Sequence, residues 1–146
     1  MRNRRSLILS ALAGAITLAG AAAADAQTAM AERPYKVVFQ VSDADPAKWN
    51  LALNNVRNVQ QDLGAGKVAA EIVAYGPGIG MLKMDSVVGP RIAEALAAGT
   101  VVVACENTMR AQKIVREDML GGIGYVSAGV VELIVRQKEG YAYIGP

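Results

Sequence analysis

Histidine is absent from the 146 residues, and cysteine occurs once, at Cys105. The first absence excludes Ser-His-Asp and Cys-His catalysis by this chain alone. It also removes the commonest zinc ligand and any imidazole-based pH switch. A single cysteine excludes an internal disulfide. There is no internal repeat, and no low-complexity tract beyond the first two dozen residues. The thiol chemistry available to the chain is therefore confined to one atom.

The amino terminus reads Met1, Arg2, Asn3, Arg4, Arg5, then an Ala/Leu/Ile/Gly stretch to Ala24. A basic start, a short apolar middle and an A-x-A site, here Ala24-Asp25-Ala26, are the three parts of a secretory signal. Cleavage is expected before Gln27. This divides the chain into a cleaved signal peptide (residues 1–26), a short tether (residues 27–34) and one α/β domain (residues 35–146). The apolar stretch is long enough to be weighed as a membrane span. It is rich in Ala and Gly and lacks a basic stop-transfer flank, so no stable membrane anchoring is expected after cleavage. Arg4-Arg5 leaves the twin-arginine route open beside the general one. The expected location is the periplasm.

Charge follows from the same division. The chain carries a formal net charge of +2, but Arg2, Arg4 and Arg5 belong to the leader, offset there only by Asp25. The mature part is electrically balanced. No nucleic-acid footprint is present, and no arginine-rich amphipathic stretch marks a membrane-surface helix. About 120 mature residues suit a single core.

Residues 35–41, Tyr-Lys-Val-Val-Phe-Gln-Val, read as a strand. Asp45 and Pro46 supply a cap and a first helical position. Trp49, Leu53, Val56, Val59 and Leu63 then mark one face of a helix, stopped by Gly64 and Gly66. Residues 68–75 form a second strand, followed by the glycine-rich residues 76–80. A helix over residues 90–97 is expected to turn Ile92, Ala93 and Leu96 inward. Residues 100–105 are continuously apolar, as in a parallel sheet covered on both faces. A helix from Glu106 to about Val115, a short strand over residues 125–127, a helix over residues 129–138 and a strand over residues 141–144 complete the chain. The helix over residues 129–138 is apolar nearly all round and is expected to be well buried. The alternation predicts a parallel five-stranded sheet between two helical layers, a three-layer α/β/α sandwich.

Cys105 falls at the carboxyl end of a strand and just before a helix. Ligand sites gather there in open parallel sheets, and a helix start favours the thiolate. Arg110 and Lys113 would assist, and Glu106 would oppose. Against this stands the ordinary role of cysteine as a small buried hydrophobe. Gly76, Gly78 and Gly80 follow a strand as phosphate loops do, but lack a dinucleotide fingerprint and a P-loop Lys-Ser/Thr. Pro77 also removes one N–H donor. They read as a tight crossover turn that can line the site of Cys105. Asn54, Asn55 and Asn58 are unusual inside a helix, where Asn is a poor former; they either face solvent or bond to a neighbouring element. Met81, Met84, Met109 and Cys105 would suit soft Cu(I) if they converged; otherwise the methionines are core fillers.

The segment Ala104-Cys105-Glu106-Asn107-Thr108-Met109, after Ala98-Gly99-Thr100-Val101-Val102-Val103, resembles the Cys-x-Asn-Thr stretch of the DsrE/DsrF-like family. Leu53-Asn54-Asn55-Val56-Arg57-Asn58 resembles that family's first helix. The end of the chain, from Ser127-Ala128-Gly129-Val130 to Gly140-Tyr141-Ala142-Tyr143-Ile144, is similar too. The resemblance covers residues 35–146. It implies a five-stranded α/β/α sandwich, assembly into homo-oligomers, and a sulfur-relay role in which a cysteine accepts sulfur as a persulfide from a donor and gives it to an acceptor protein. By that likeness Cys105 is the accepting thiol. Asn107, Thr108, Gly76, Gly78 and Gly80 frame it, and no cofactor and no metal is implied. The resemblance departs at the leader, which places this chain in a different redox compartment from the cytoplasmic members. A binding or interaction module with a buried, inert Cys105 is the alternative, and a Cu(I) protein a further one.

Overall fold

The alternation of strands and helices read from the sequence becomes one parallel sheet with helices on both sides. The computed structural model describes residues 28–30 and 32–145. The chain divides into two units, residues 1–31 and Glu32–Pro146. Of the first, only a helical turn at residues 28–30 is described. The expected signal peptide and its cleavage site lie outside the described residues.

Five strands, β1 (Tyr35–Val41), β2 (Val68–Ala74), β3 (Val101–Cys105), β4 (Gly124–Val126) and β5 (Ala142–Ile144), alternate with four α-helices. These are α1 (Pro46–Leu63), α2 (Gly89–Ala97), α3 (Glu106–Gln112) and α4 (Gly129–Lys138). The strand order is β4-β3-β2-β1-β5, and every pairing is parallel. Successive strands step one way from β1 to β4. The chain then returns across the sheet through α4 to place β5 on the far side of β1. With right-handed crossovers, α1, α2 and α3 cover one face and α4 the other.

Local chemistry sets the helix boundaries. Asp45 Oδ1 accepts the Ala47 N–H at 2.8 Å, capping α1, and Pro46 opens the helix. Gly64 ends it at a φ of 91°, which a side chain disfavours. The α1 side of the sheet holds the apolar core, with Phe39, Val56, Ile72, Ile79, Met81 and Ile92 among its members. On the α4 side, Val38, Ala69, Val73 and the carboxylate of Glu71 are buried.

Three expectations change. The helix opened by Glu106 ends at Gln112 rather than near Val115, because Lys113 takes a left-handed conformation, φ 56°. In α2, Ile92 is buried and Leu96 packs against the core as expected, but Ala93 faces solvent and Ala95 packs inward in its place. In α4 only Gly129 and Leu133 are buried. Val130, Val131 and Ile134 are 55%, 51% and 54% exposed. One helix laid against a sheet can bury one stripe, and α4 carries two.

Candidate functional site

Cys105 ends β3 and caps α3, so its thiol sits at the carboxyl edge of the sheet. Its side chain turns to the α4 face, where the nearby Gly129 N–H favours a negative sulfur. Ala74 is in register with Ala104, which brings Tyr75, the residue just past the end of β2, alongside Cys105. The Tyr75 ring lies on the first turn of α4. A Cβ built on Gly129 would stand 3.0 Å from Tyr75 Cβ and Cδ1, so a residue with a side chain there would push the ring or the helix away.

Two helix starts therefore meet at one sulfur. The Thr108 N–H of α3 donates to Cys105 Sγ at 3.5 Å, and α4 begins at Gly129 with no side chain capping its free N–H groups. Burial pushes the thiol up. The Thr108 hydroxyl and the N–H groups of Gly129, Thr108 and Asn107 outweigh it, and the thiol lies below its ordinary value. Burial, with neighbouring Tyr143 and Cys105, pushes the Tyr75 phenol up. The residue Cys105 is only 5% exposed. The arrangement can hold a negative sulfur in a largely dry place.

Of the residues expected to frame the thiol, Asn107, Thr108 and Gly76 are brought together with it. The Gly76 N–H donates to Thr108 Oγ1 at 2.9 Å, tying the loop after β2 to the hydroxyl that faces the sulfur. That loop is a 3₁₀ turn, Gly76–Leu82. Gly78 and Gly80 belong to it but face elsewhere. Gly78 packs on the end of β1, its N–H donating to Ser42 O at 3.1 Å, and Gly80 lies against Trp49. The charged residues around α3 are engaged away from the thiol: Arg110 donates to the Asn107 amide oxygen, and Glu106 pairs with Arg116 at 2.7 Å. Asn54 bonds across to α2, accepting from Arg91 at 2.7 Å. Met81 is buried in the core and Met84 lies exposed in the following loop. Among the described residues no group of three or more Cys, Asp or Glu is placed to hold a metal ion.

The sequence reading passed over a second polar centre on the same face. Glu71 is 0% exposed, and its Oε2 meets Arg136 Nε at 2.5 Å. Arg136 also pairs with Glu132 at 2.9 Å and Glu139 at 2.8 Å, and its guanidinium lies over the Tyr141 ring. Burial raises Glu71 to about 7, Arg136 pulls it down and Glu132 pushes it up. A lone Glu inside the apolar run of β2 was the available signal.

No protein-family model matches the sequence, and no curated protein matches it. Two solved structures share the fold. The conserved protein of unknown function BT1422 from Bacteroides thetaiotaomicron is 17% identical, with a TM-score of 0.61 over 76% of this chain and 94% of that one. The protein of unknown function MTH1491 from Methanobacterium thermoautotrophicum is 39% identical, with a TM-score of 0.73 over 77% of this chain and 99% of that one. At that identity and coverage, the chain belongs to the same family as MTH1491.

Proposed function

We propose that this chain is an exported DsrE/DsrF-like sulfur carrier, with Cys105 as the accepting thiol. The observation that supports it is the convergence of two helix starts on the sulfur, which lowers the thiol against its own burial. The Cys105 thiolate attacks the outer sulfur of a donor persulfide. A new S–S bond forms, the donor's S–S bond breaks, and the donor leaves as a thiolate. An acceptor thiolate then takes the outer sulfur, and Cys105 returns as a thiolate. The N–H groups that favour the thiolate would favour the persulfide anion too.

Donor and acceptor are thiol-bearing partners, and no cofactor is required. The working location is the periplasm, with the domain free of a membrane anchor. Among the described residues no helix is long and apolar enough to cross a membrane. The exposed Val130, Val131 and Ile134 of α4 support a homo-oligomer.

The test is the intact mass of the protein before and after a sulfane sulfur donor. One added sulfur atom, absent in Cys105→Ser and removed by reductant, is the expected result. Equal loading in the Cys105→Ser variant overturns it.

One observation favours a second reading, an interaction or ligand-binding module with an inert cysteine: the 5% exposure of Cys105. If that reading holds, the thiol resists alkylation until the protein unfolds and gains no sulfur from the donor.

A further inference from the structure

The helix that covers the thiol is fastened to the sheet at few points. α4 packs across β1, β2, β3 and β5, yet Leu133 is its one buried side chain. Gly129, Leu133 and Arg136 stand four and three residues apart and so share one stripe of the helix. At one end of the stripe Gly129 lies against Tyr75, beside the thiol. Leu133 fills the middle. At the other end Arg136 reaches down to Glu71 of β2 at 2.5 Å.

The charges at that end do not balance. Arg136 is one guanidinium set against three carboxylates, Glu71, Glu132 and Glu139. Glu71 is fully buried, with Val38 of β1 and Val101 of β3 as its neighbours in register. Its Oε1 has no hydrogen-bond partner among the described residues. Tyr141, which follows α4, adds no charge, since burial pushes its phenol up. Lys36 of β1 donates to the Glu139 carbonyl at 3.3 Å, and Arg33, ahead of β1, to the Val68 carbonyl at 2.7 Å; neither pairs with Glu71. Ionised, a carboxyl so placed is costly to keep buried; protonated, it is not. Burial raises Glu71 from 4.5 to about 7. Its contribution to the closed helix is therefore fully present below about 4.5 and is lost as pH rises to about 7.

We infer that Glu71, Glu132 and Arg136 form a pH-sensitive latch on α4: with Glu71 protonated the helix lies closed over Cys105, and with Glu71 ionised its hold weakens, so that it lifts and bares the thiol. The inference rests on the reading of Cys105 as a working sulfur acceptor and names what regulates access to it. The 5% exposure of Cys105 belongs to the closed state, and a donor persulfide reaches the sulfur in the open one. The motion is a local opening of the face held by a single helix. The opposite face, with its three helices and apolar core, stays shut.

The test is maleimide alkylation of Cys105 in the full chain, wild type beside Glu71→Gln, with amide hydrogen exchange on the same samples. The thiolate fraction cancels in the ratio of the two alkylation rates. That ratio is expected to rise about tenfold from about pH 5 to about pH 7.5. Over the same range the α4 amides lose protection in the wild type and the α1 amides keep theirs. Glu132→Gln keeps the Glu71–Arg136 pair and removes one repulsion, so it rises less than the wild type. If circular dichroism shows Glu71→Gln unfolded, the ratio is taken against Glu132→Gln, with a rise of about threefold expected. A flat ratio overturns the inference. So does α1 losing protection in step with α4, which would make the opening a global unfolding. A ratio that rises while no sulfur is gained from the donor at any pH supports the latch and overturns the carrier reading alone.

Discussion

The two faces of the sheet are built to different ends. The α1 side is roofed by α1, α2, α3 and the 3₁₀ turn, and its core is apolar apart from one buried hydrogen bond, Gln60 to Thr100. The α4 side has one helix, and beneath or beside it lie Glu71, Tyr75, Cys105 and Gln40. The α1 side is stabilised by area removed from water. The α4 side depends on paired charges and hydrogen bonds, which stabilise only while every partner is in place. Stability and chemistry are thus divided between faces.

Breaking a charge pair on the thin face has the largest expected effect. Arg136→Met leaves Glu71 buried without its cation, a loss of ~3–5 kcal/mol at pH 8 by denaturant titration. The loss shrinks on acidification, as Glu71 takes a proton. Adding Glu71→Leu recovers most of it, since an apolar pair of similar volume often replaces a buried ion pair at little cost. A double variant as weak as Arg136→Met would refute this division of labour. On the thick face, Ile72→Ala opens a cavity and costs ~2–5 kcal/mol, with no dependence on pH.

That contrast in pH dependence is itself measurable. Glu71 is raised from 4.5 to about 7 in the fold, so the folded chain holds a proton that the unfolded chain releases. Its contribution is fully present below about 4.5 and is lost as pH rises to about 7. The expected loss is on the order of 1–3 kcal/mol. Glu71→Gln flattens the profile in that window; an unchanged profile would remove Glu71 from the account.

Two smaller effects separate the thiol from its surroundings. Thr108→Val removes the hydroxyl that faces Sγ and leaves the Gly76 N–H unpaired, costing ~1–2 kcal/mol. It also moves the midpoint of the alkylation-versus-pH curve upward, because burial then meets less opposition. Arg116→Ala breaks an exposed pair with Glu106 and costs less than ~1 kcal/mol. If it slowed alkylation as strongly as Thr108→Val, the hydrogen-bond account of the thiol would fail.

Much of the fold was legible in the sequence because strand and helix periods are local properties. Asp45-Pro46 marked the start of α1, and the apolar run into Cys105 marked β3. The placement of Cys105 at a strand end and helix start was legible for the same reason. What escaped was non-local. Nothing near Cys105 in the chain announces that Gly129 will reach it, since that contact depends on α4 crossing back over the sheet. The exposed stripe of α4 escaped because hydrophobicity records that a residue is to be covered and not by what. Glycines 78 and 80 looked like part of the thiol loop, but spacing does not tell which side of a loop faces which strand.

Gly78 carries one more consequence. A Cβ there would stand 2.3 Å from Val41 O, closer than any packing allows, so the turn after β2 lies flush on the end of β1. The Tyr75 N–H donates to Val41 O and the Gly78 N–H to Ser42 O, both at 3.1 Å. The end of β1 and the turn are thereby a single splint. Through Gly76, which donates to Thr108 Oγ1, the same splint steadies the hydroxyl beside the thiol. A larger residue at position 78 would pry the splint apart and disturb the surroundings of the thiol, although it does not touch the sulfur.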